Sequence, residues 1–156
     1  MASVKVDKCA GMVDISDKAV TKRRAIAAGA VIFDSKAFSL FVSQGSPKGN
    51  VFETAKIAGI MAAKSTPSII PLCHPLALDK VNVSLEVVKS KRAVVVTVEV
   101  VSTGKTGVEM EALAAVCAAC LTVYDMMKWS GQTMKIDEVR LIHKSGGKSG
   151  TFERRK

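Results

Sequence analysis

The sequence predicts an α+β fold in which helices cover one face of a single antiparallel sheet. Four short segments are rich in β-branched or alternating apolar residues, and two longer segments have helical periodicity with N-terminal capping residues. Their order is strand, helices, strand, strand, helix, strand, which is the ferredoxin-like βαββαβ arrangement. We therefore expect a four-stranded sheet in one domain over residues 1–156, with flexible termini at 1–11 and 151–156.

The first half of the chain contains one predicted strand and two predicted helices. The apolar, β-branched run Ala25–Phe33 predicts the strand, and Ser35–Ser43 predicts a short helix. Asn50 is a favourable N-cap, and Glu53 three residues later completes a capping box. A second helix should therefore begin after Asn50 and end before Pro67, because proline disfavours helix at the preceding residue.

The second half predicts a hairpin, a long helix and a last strand. Val81–Val88 alternates apolar with polar residues, Ala93–Val101 is rich in valine, and three polar residues join them into the hairpin. Thr106–Trp129 predicts the long helix, with its first residue as N-cap and Glu109 at the capping-box position. Met134–His143 predicts the last strand. Valines on both faces of the third strand favour a partner subunit over the open sheet face.

Composition and charge exclude several classes of protein. The chain has 156 residues, 48% of them hydrophobic, and a net charge of +9, which indicates anionic partners such as phosphates. Aromatic residues make up only 4%, which argues against a surface that stacks nucleobases. The longest apolar stretch, Ala112–Tyr124, has 13 residues and is too short to cross a membrane.

The N-terminal sequence and the cysteines predict the cellular compartment. The first 24 residues contain six basic and three acidic side chains and lack the apolar region of a signal peptide. Four scattered cysteines are too few for a secreted disulfide scaffold. We therefore expect a reduced protein of the cytoplasm that does not associate with a membrane.

Two segments have the composition of ligand-binding loops. Lys144–Gly150 has a lysine on each side of a Gly-Gly pair, which suits an anion held by backbone N–H groups and positive charge. A solvated loop is the alternative. Pro71–Leu76 holds a Cys-His pair between two prolines, which either presents both side chains to a ligand or forms a rigid connector. The residues alone leave both alternatives open.

Two other motifs are rejected as sites. The fragments Gly104-Lys105-Thr106 and Gly147-Lys148-Ser149 imitate a nucleotide P-loop, but neither has the preceding glycine that such a loop needs. Cys117 and Cys120 lie at core spacing in an apolar helix, and the chain offers no second pair of ligands. We therefore expect two core side chains there and no metal site.

Charged side chains at both ends of the long helix impose a geometric constraint. Glu109 and Glu111 suit its first turn, and Lys128 suits its last turn. Asp125 is unfavourable so close to the C-terminus, and a broken local rule of this kind indicates function. Glu111 and Asp125 are 14 residues apart, about 21 Å along the axis. One small ligand cannot touch both within one chain, so a shared site must lie across a subunit interface.

Six stretches of the chain carry a resemblance to a known family. They are Met12–Ser16, Ala55–Ile60, Ile70–Leu76, Thr103–Leu113, Tyr124–Met126 with Lys128, and Lys144–Gly150. In this order they resemble the molybdenum cofactor biosynthesis protein C family. Several of the stretches are long and unusual, which makes a chance similarity improbable.

The resemblance implies a ferredoxin-like subunit that assembles as a hexamer, a trimer of dimers with active sites at the dimer interface. It implies a lyase, cyclic pyranopterin monophosphate synthase, acting early in molybdenum cofactor (molybdopterin) biosynthesis. The substrate would be 3′,8-cyclo-7,8-dihydroguanosine 5′-triphosphate, and the products cyclic pyranopterin monophosphate and pyrophosphate. Such an enzyme is expected to need no cofactor and no metal, and to bind neither nucleic acid nor membrane.

Matching positions give the site that the resemblance implies. Its catalytic pair would be Asp125 and Lys128, and its substrate-binding residues Leu72, Cys73, His74, Met110, Glu111, Glu109, Arg23, Lys48 and Lys144. Asn50 stands where relatives commonly have Asp, and it caps a helix equally well. The cations suit a triphosphate, whereas the glutamates suit the N–H donors of a pterin. Our hypothesis is that Lys128, with a pKa lowered by burial and neighbouring cations, acts as general acid and base, and that Asp125 orients it.

Two other functions suit the same fold and charge. A nucleic-acid-binding module is the main alternative, although the third strand has no aromatic platform for bases. A non-enzymatic oligomer that only binds nucleotides is the second alternative. Titration with single-stranded RNA tests the first, and turnover of the cyclised triphosphate distinguishes an enzyme from the second.

Overall fold

The computed structural model describes residues 11–155 and follows the predicted order of elements, with one short helix and one strand added. The elements are β1 (Thr21–Ile32), α1 (Ser35–Gln44), α2 (Val51–Lys64), α3 (Thr66–Ile69), β2 (Lys80–Val88), β3 (Ala93–Gly104), α4 (Glu109–Met127), β4 (Lys135–Gly147) and β5 (Gly150–Glu153). Single 3-10 turns follow β2 at Lys89–Lys91 and α4 at Lys128–Ser130. The predicted α+β, ferredoxin-like arrangement is confirmed.

The sheet has the strand order β2-β3-β1-β4-β5, and every neighbouring pair is antiparallel. The central strands β1 and β3 pair along their whole length, from Thr21 opposite Gly104 to Ile32 opposite Ala93. Both therefore extend beyond their apolar runs into polar sequence. The prediction of four strands is short by one, because residues 150–153, expected to lie beyond the last strand, pair with the end of β4.

The core lies between the sheet and two helices on one of its faces. α4 packs against α2 and against β1, β3 and β4. The β3 side chains that face α4 are fully buried: Val94, Val96, Val98 and Val100. Gly29 on β1 lets the helix come close, because a Cβ there would lie 2.7 Å from Cγ1 of Val116. This packing fixes both ends of α4 relative to the sheet.

The segment Glu109–Ser130 is long and apolar enough to cross a membrane, by length and composition alone. Half of its most apolar window is buried inside the fold. The helix packs against α2 and three strands, as a core helix does.

Two local predictions for the helices are wrong. α4 begins at Glu109 rather than after Thr106, and Val108 at its N-cap position makes no side-chain capping bond. The Glu109 carboxylate lies beside Gly107 and pairs with Lys144, which is a tertiary contact in place of the expected capping box. Cys120 is buried as predicted, but Cys117 is exposed, because that side of α4 faces neither α2 nor the sheet. The Asn50 cap of α2 is confirmed, since its side chain accepts from two backbone N–H groups.

Candidate functional site

A cleft of about 930 Å³ lies between the start of β1, the segment leading into α4, and the β4–β5 turn. Among its lining side chains are six cations, Lys18, Arg23, Arg24, Lys105, Lys144 and Lys148, and three acids, Asp14, Asp17 and Glu109. We call it the cationic cleft. Arg23, Glu109 and Lys144 were predicted for the site, and the structure brings all three to this cleft.

The β4–β5 turn is packed tightly against β1. Gly146 has φ +91°, and a Cβ there would lie 1.9 Å from the carbonyl oxygen of Lys22, so only glycine fits. The Thr21 hydroxyl donates to the Gly146 carbonyl at 2.6 Å. The glycine-rich segment is therefore part of a strand and a close turn, and it holds Lys144 at a fixed position in the sheet.

An ion pair joins the cationic and acidic parts of the cleft. Lys144 Nζ lies 3.0 Å from Oε1 of Glu109, and both side chains are about two-thirds buried. Gly107 leaves room for this carboxylate, because a Cβ there would lie 1.9 Å from Glu109 Oε2. The start of α4 and the end of β4 thus meet through opposite charges.

Glu111 lies in the first turn of the same helix and is 3% exposed. Burial raises the pKa of its carboxyl, and the nearby charge of Glu109 raises it further. Burial also raises the pKa of the Cys73 thiol, with a smaller effect from Glu111, which places Cys73 beside that carboxyl.

The other predicted residues of the Pro71–Leu76 connector and the helix start lie near this end of α4. Asp14 lines the cleft, and hydrogen bonds from Ser16 lower its pKa, with smaller contributions from the charges of Lys105 and His74. Leu72 and Met110 expose 50% and 36% of their surface. A connector that carries Cys73 and His74 to this end of α4 is consistent with ligand contact.

A second pocket, of about 450 Å³, lies at the other end of α4 and is lined by Pro47, Lys48, Tyr124, Asp125, Lys128, Trp129 and Gln132. We call it the Asp125 pocket. Lys48 Nζ donates to one carboxylate oxygen of Asp125 at 2.6 Å, and Lys128 Nζ lies 2.8 Å from the other oxygen. Asp125 therefore bridges two lysines, and the structure brings these three predicted residues together.

The electrostatics of this pocket differ from the expectation for Lys128. The hydrogen bond and charge of Asp125 raise the pKa of Lys128, so the expectation of a lowered pKa is wrong for this chain. The physical reason is that Lys128 is 57% exposed and paired with a carboxylate, so neither burial nor an unbalanced cation lowers its pKa. Lys128, followed by Lys48, lowers the pKa of Asp125 to about 2. The carboxylate is ionised and the Lys128 ammonium protonated near neutral pH.

The predicted site residues therefore form two groups within one chain. One group is at the cationic cleft and the N-terminal end of α4, and the other is in the Asp125 pocket at its C-terminal end. Glu111 and Asp125 are 14 residues apart on one continuous helix, about 21 Å along its axis. The structure confirms that one small ligand cannot contact both within a single chain.

Sequence reasoning missed several residues that line the two pockets. Lys105 and Thr106 line the cationic cleft although their segment was rejected as a P-loop, and its glycine and lysine content was the available signal. Lys105 Nζ donates to the Ser16 carbonyl at 2.6 Å, which holds the segment before β1 against the cleft. Tyr124 and Trp129 line the Asp125 pocket, and nothing in their spacing indicated it.

Within residues 11–155, no group of three or more His, Cys, Asp or Glu side chains is placed to hold a metal ion. The three cysteines in this part of the chain are free thiols: Cys73, Cys117 and Cys120. The charged side chains that line the two pockets are those of lysine, arginine, aspartate and glutamate.

Comparison with known proteins agrees with the sequence and the geometry. The model of the MoaC family matches residues 12–147. Three similar proteins are each named cyclic pyranopterin monophosphate synthase. One from a Methylobacterium strain is 51% identical over 143 residues, which cover 92% of this chain and 89% of that protein. One from Pelotomaculum thermopropionicum is 49% identical, with 94% and 86% covered, and one from Chloroflexus aggregans is 50% identical, with 93% and 88% covered.

Proposed function

The chain belongs to the MoaC family, and on that premise we propose that it is a cyclic pyranopterin monophosphate synthase. This lyase converts 3′,8-cyclo-7,8-dihydroguanosine 5′-triphosphate to cyclic pyranopterin monophosphate and releases pyrophosphate, an early step of molybdenum cofactor biosynthesis. The reaction takes place in the cytoplasm, where the free thiols of this chain stay reduced.

The observation that carries this function is the meeting of cations and acids in one cleft. A triphosphate needs several positive charges, which Lys105, Lys144 and Lys148 supply along the cationic cleft. Glu109 and Glu111 repel phosphate, so they suit the other end of the substrate, where a pterin edge offers N–H donors. The 3.0 Å pair between Lys144 and Glu109 marks the boundary between these two parts.

The reaction opens a purine-derived ring, closes a new ring and forms a cyclic phosphate, so it needs proton transfers and charge neutralisation. Lys128 carries a proton in this chain, because Asp125 raises its pKa. It therefore enters the reaction as a general acid and becomes a base once it has given up the proton. Asp125 stays ionised, with a pKa of about 2, and orients both lysines of its pocket through its two oxygens.

A complete site needs two copies of the chain. α4 exposes an apolar stripe along the side that faces away from α2 and the sheet: Met110, Cys117 and Leu121. A second copy that packs antiparallel on this stripe brings the Asp125 end of one helix to the Glu111 end of the other. The midpoint between residues 111 and 125 is residue 118, so the two-fold axis passes beside Ala118 and its neighbour Cys117.

Antiparallel packing also joins the two pockets into one site. It brings the cationic cleft, with Glu109 and Glu111 at the start of α4, to the pocket in which Asp125 lies between Lys48 and Lys128. The joined site is then mainly cationic, as a triphosphate needs. Three such dimers form the hexamer that the family resemblance implies, and light scattering measures that mass directly.

Complementation between two inactive variants tests the shared site. Glu111→Gln and Asp125→Asn are each expected to be inactive alone. When both are co-expressed, half of the dimers are mixed, and each mixed dimer has one site with both residues intact, so about a quarter of wild-type activity returns. No restored activity means that the site lies within one chain.

A matched control uses two variants of the same pocket. Asp125→Asn co-expressed with Lys128→Met leaves every site with one damaged pocket, so no activity returns. Turnover is measured by mass analysis of the pterin product and pyrophosphate. If the wild-type protein binds the substrate but forms no product, it is a non-enzymatic oligomer that binds nucleotides. If it binds single-stranded RNA tightly, the nucleic-acid-binding module is favoured instead.

A further inference from the structure

Arg23 lies on β1 between the two backbone segments that form the cationic cleft. It is 8% exposed, although arginine is rarely so deeply buried unless its charge is satisfied by partners. Its Nε donates to the carbonyl of Gly104 and its Nη2 donates to the carbonyl of Lys105, both at 3.2 Å. Two of its three nitrogens are therefore bound to the segment that leads into α4.

The third nitrogen lies against the other wall of the cleft. A Cβ on Gly147 would come within 2.9 Å of Arg23 Nη1, so the guanidinium fills the space beside the β4–β5 turn. Gly147 is three residues from Lys144, and Lys105 is four residues from Glu109. The guanidinium is thus held between the segments that carry the two members of the Lys144–Glu109 ion pair.

We infer that Arg23 is a positioning residue, which acts through the 104–107 segment and the β4–β5 turn and sets the distance between the cation and acid walls of the cleft. This inference rests on the proposed function, and it assigns Arg23 a structural role in place of direct contact with phosphate. The planar guanidinium suits this role, because its rigidly spaced N–H groups donate to two adjacent carbonyls at once. A lysine ammonium at the end of a flexible side chain cannot fix both carbonyls in the same way.

Arg23→Lys and Arg23→Gln together separate positioning from charge. Lysine keeps the positive charge but not the paired N–H groups of the guanidinium. If Arg23 acts by positioning, kcat should therefore fall by a similar factor in both variants, about 10- to 100-fold. It also predicts faster amide hydrogen exchange in residues 104–107 and 145–149 of both variants, measured without substrate. Direct phosphate contact predicts that Arg23→Lys keeps wild-type exchange and most of its kcat.

Each outcome decides between these two roles. If Arg23→Lys shows the same amide hydrogen exchange as the wild type, the inference is overturned whatever happens to kcat. In that case the two segments that form the walls of the cleft do not depend on the guanidinium. Lys148→Gln is the matched control, since it removes an exposed cation of the same cleft. It should weaken binding of inorganic tripolyphosphate while leaving exchange in residues 104–107 unchanged.

A second variant keeps the test decisive if Arg23→Lys does not fold. Gly147→Ala crowds the guanidinium from the other side, so it should accelerate exchange in residues 104–107, which lie on the far wall. Unchanged exchange in Gly147→Ala overturns the inference. Turnover by wild-type protein tests the proposed function separately, since none of the exchange measurements requires substrate.

Discussion

Gly107→Ala should inactivate the enzyme while leaving the fold intact. A Cβ at residue 107 would lie 1.9 Å from Glu109 Oε2, and its other near neighbours are atoms of the same carboxyl group. Ordinary contact begins near 3.4 Å, so the carboxylate must move by about 1.5 Å. The movement displaces the carboxylate that pairs with Lys144, whose Nζ lies 3.0 Å from its other oxygen.

The expected magnitudes for stability and catalysis differ widely. The Lys144–Glu109 pair is partly exposed, so its loss should cost about 0.2–1 kcal/mol of the free energy of unfolding. Misplacement of a substrate-positioning group by about 1 Å can cost about 100-fold in rate. Gly107→Ala should therefore lower kcat by about two orders of magnitude and the melting temperature by only a few degrees.

Gly104→Ala is the matched control in the same segment. The nearest atom to its added Cβ is Ser102 Oγ at 3.8 Å, so the substitution meets no crowding. Both variants are compared by thermal unfolding and by steady-state turnover. If Gly107→Ala retains the kcat of Gly104→Ala, the Glu109 carboxylate does not act where the structure places it, and the reasoning fails.

Three further predictions concern charge and assembly. Lys48→Met should raise the Asp125 pKa from about 2 towards its ordinary value of 3.8. Lys128→Met should raise the Asp125 pKa further, because Lys128 contributes more to lowering it. Titration of the Asp125 carboxyl by NMR measures both values, and the opposite order contradicts this assignment. Glu111→Gln should raise the melting temperature at pH 8, because ionisation of a carboxyl whose pKa is raised in the folded chain destabilises the fold as pH rises. The gain should vanish at pH 4, where the carboxyl is largely protonated in both the folded and unfolded chain. A short bismaleimide should join two chains through Cys117 if the two-fold axis passes beside it, and dimeric protein that shows no Cys117-dependent product excludes this packing.

Much of the fold could be predicted from the sequence because its elements carry local signals. Asn50 caps α2 through two backbone N–H groups, as its position before an apolar run predicted. The limits of β1 and β3 could not be predicted, since their polar ends are strand only because they pair with each other. β5 was missed for the same reason: a short glycine-flanked segment becomes a strand only beside β4.

The start of α4 shows how tertiary contacts override a local motif. Thr106 and Glu109 have capping-box spacing, but the Glu109 carboxylate pairs with Lys144, which is far away in the sequence. The burial of Arg23 between two backbone segments depends equally on distant residues. The family resemblance marks these side chains as candidates for the site, but only the packed chain shows which groups each of them contacts.

In the proposed dimer, the length of α4 links catalysis to assembly. Burial against the sheet requires a straight apolar helix, and a straight helix separates Glu111 from Asp125 by about 21 Å. Shortening the helix would remove valines and alanines from the core. Pairing two helices antiparallel instead brings Glu111 of one chain close to Asp125 of the other, and the helix keeps its length. The exposed Cys117 and Leu121 are the apolar surface that such pairing needs. A variant that blocks this surface, such as Leu121→Glu, should therefore lose activity and dimerisation at the same concentration, although residue 121 touches neither pocket.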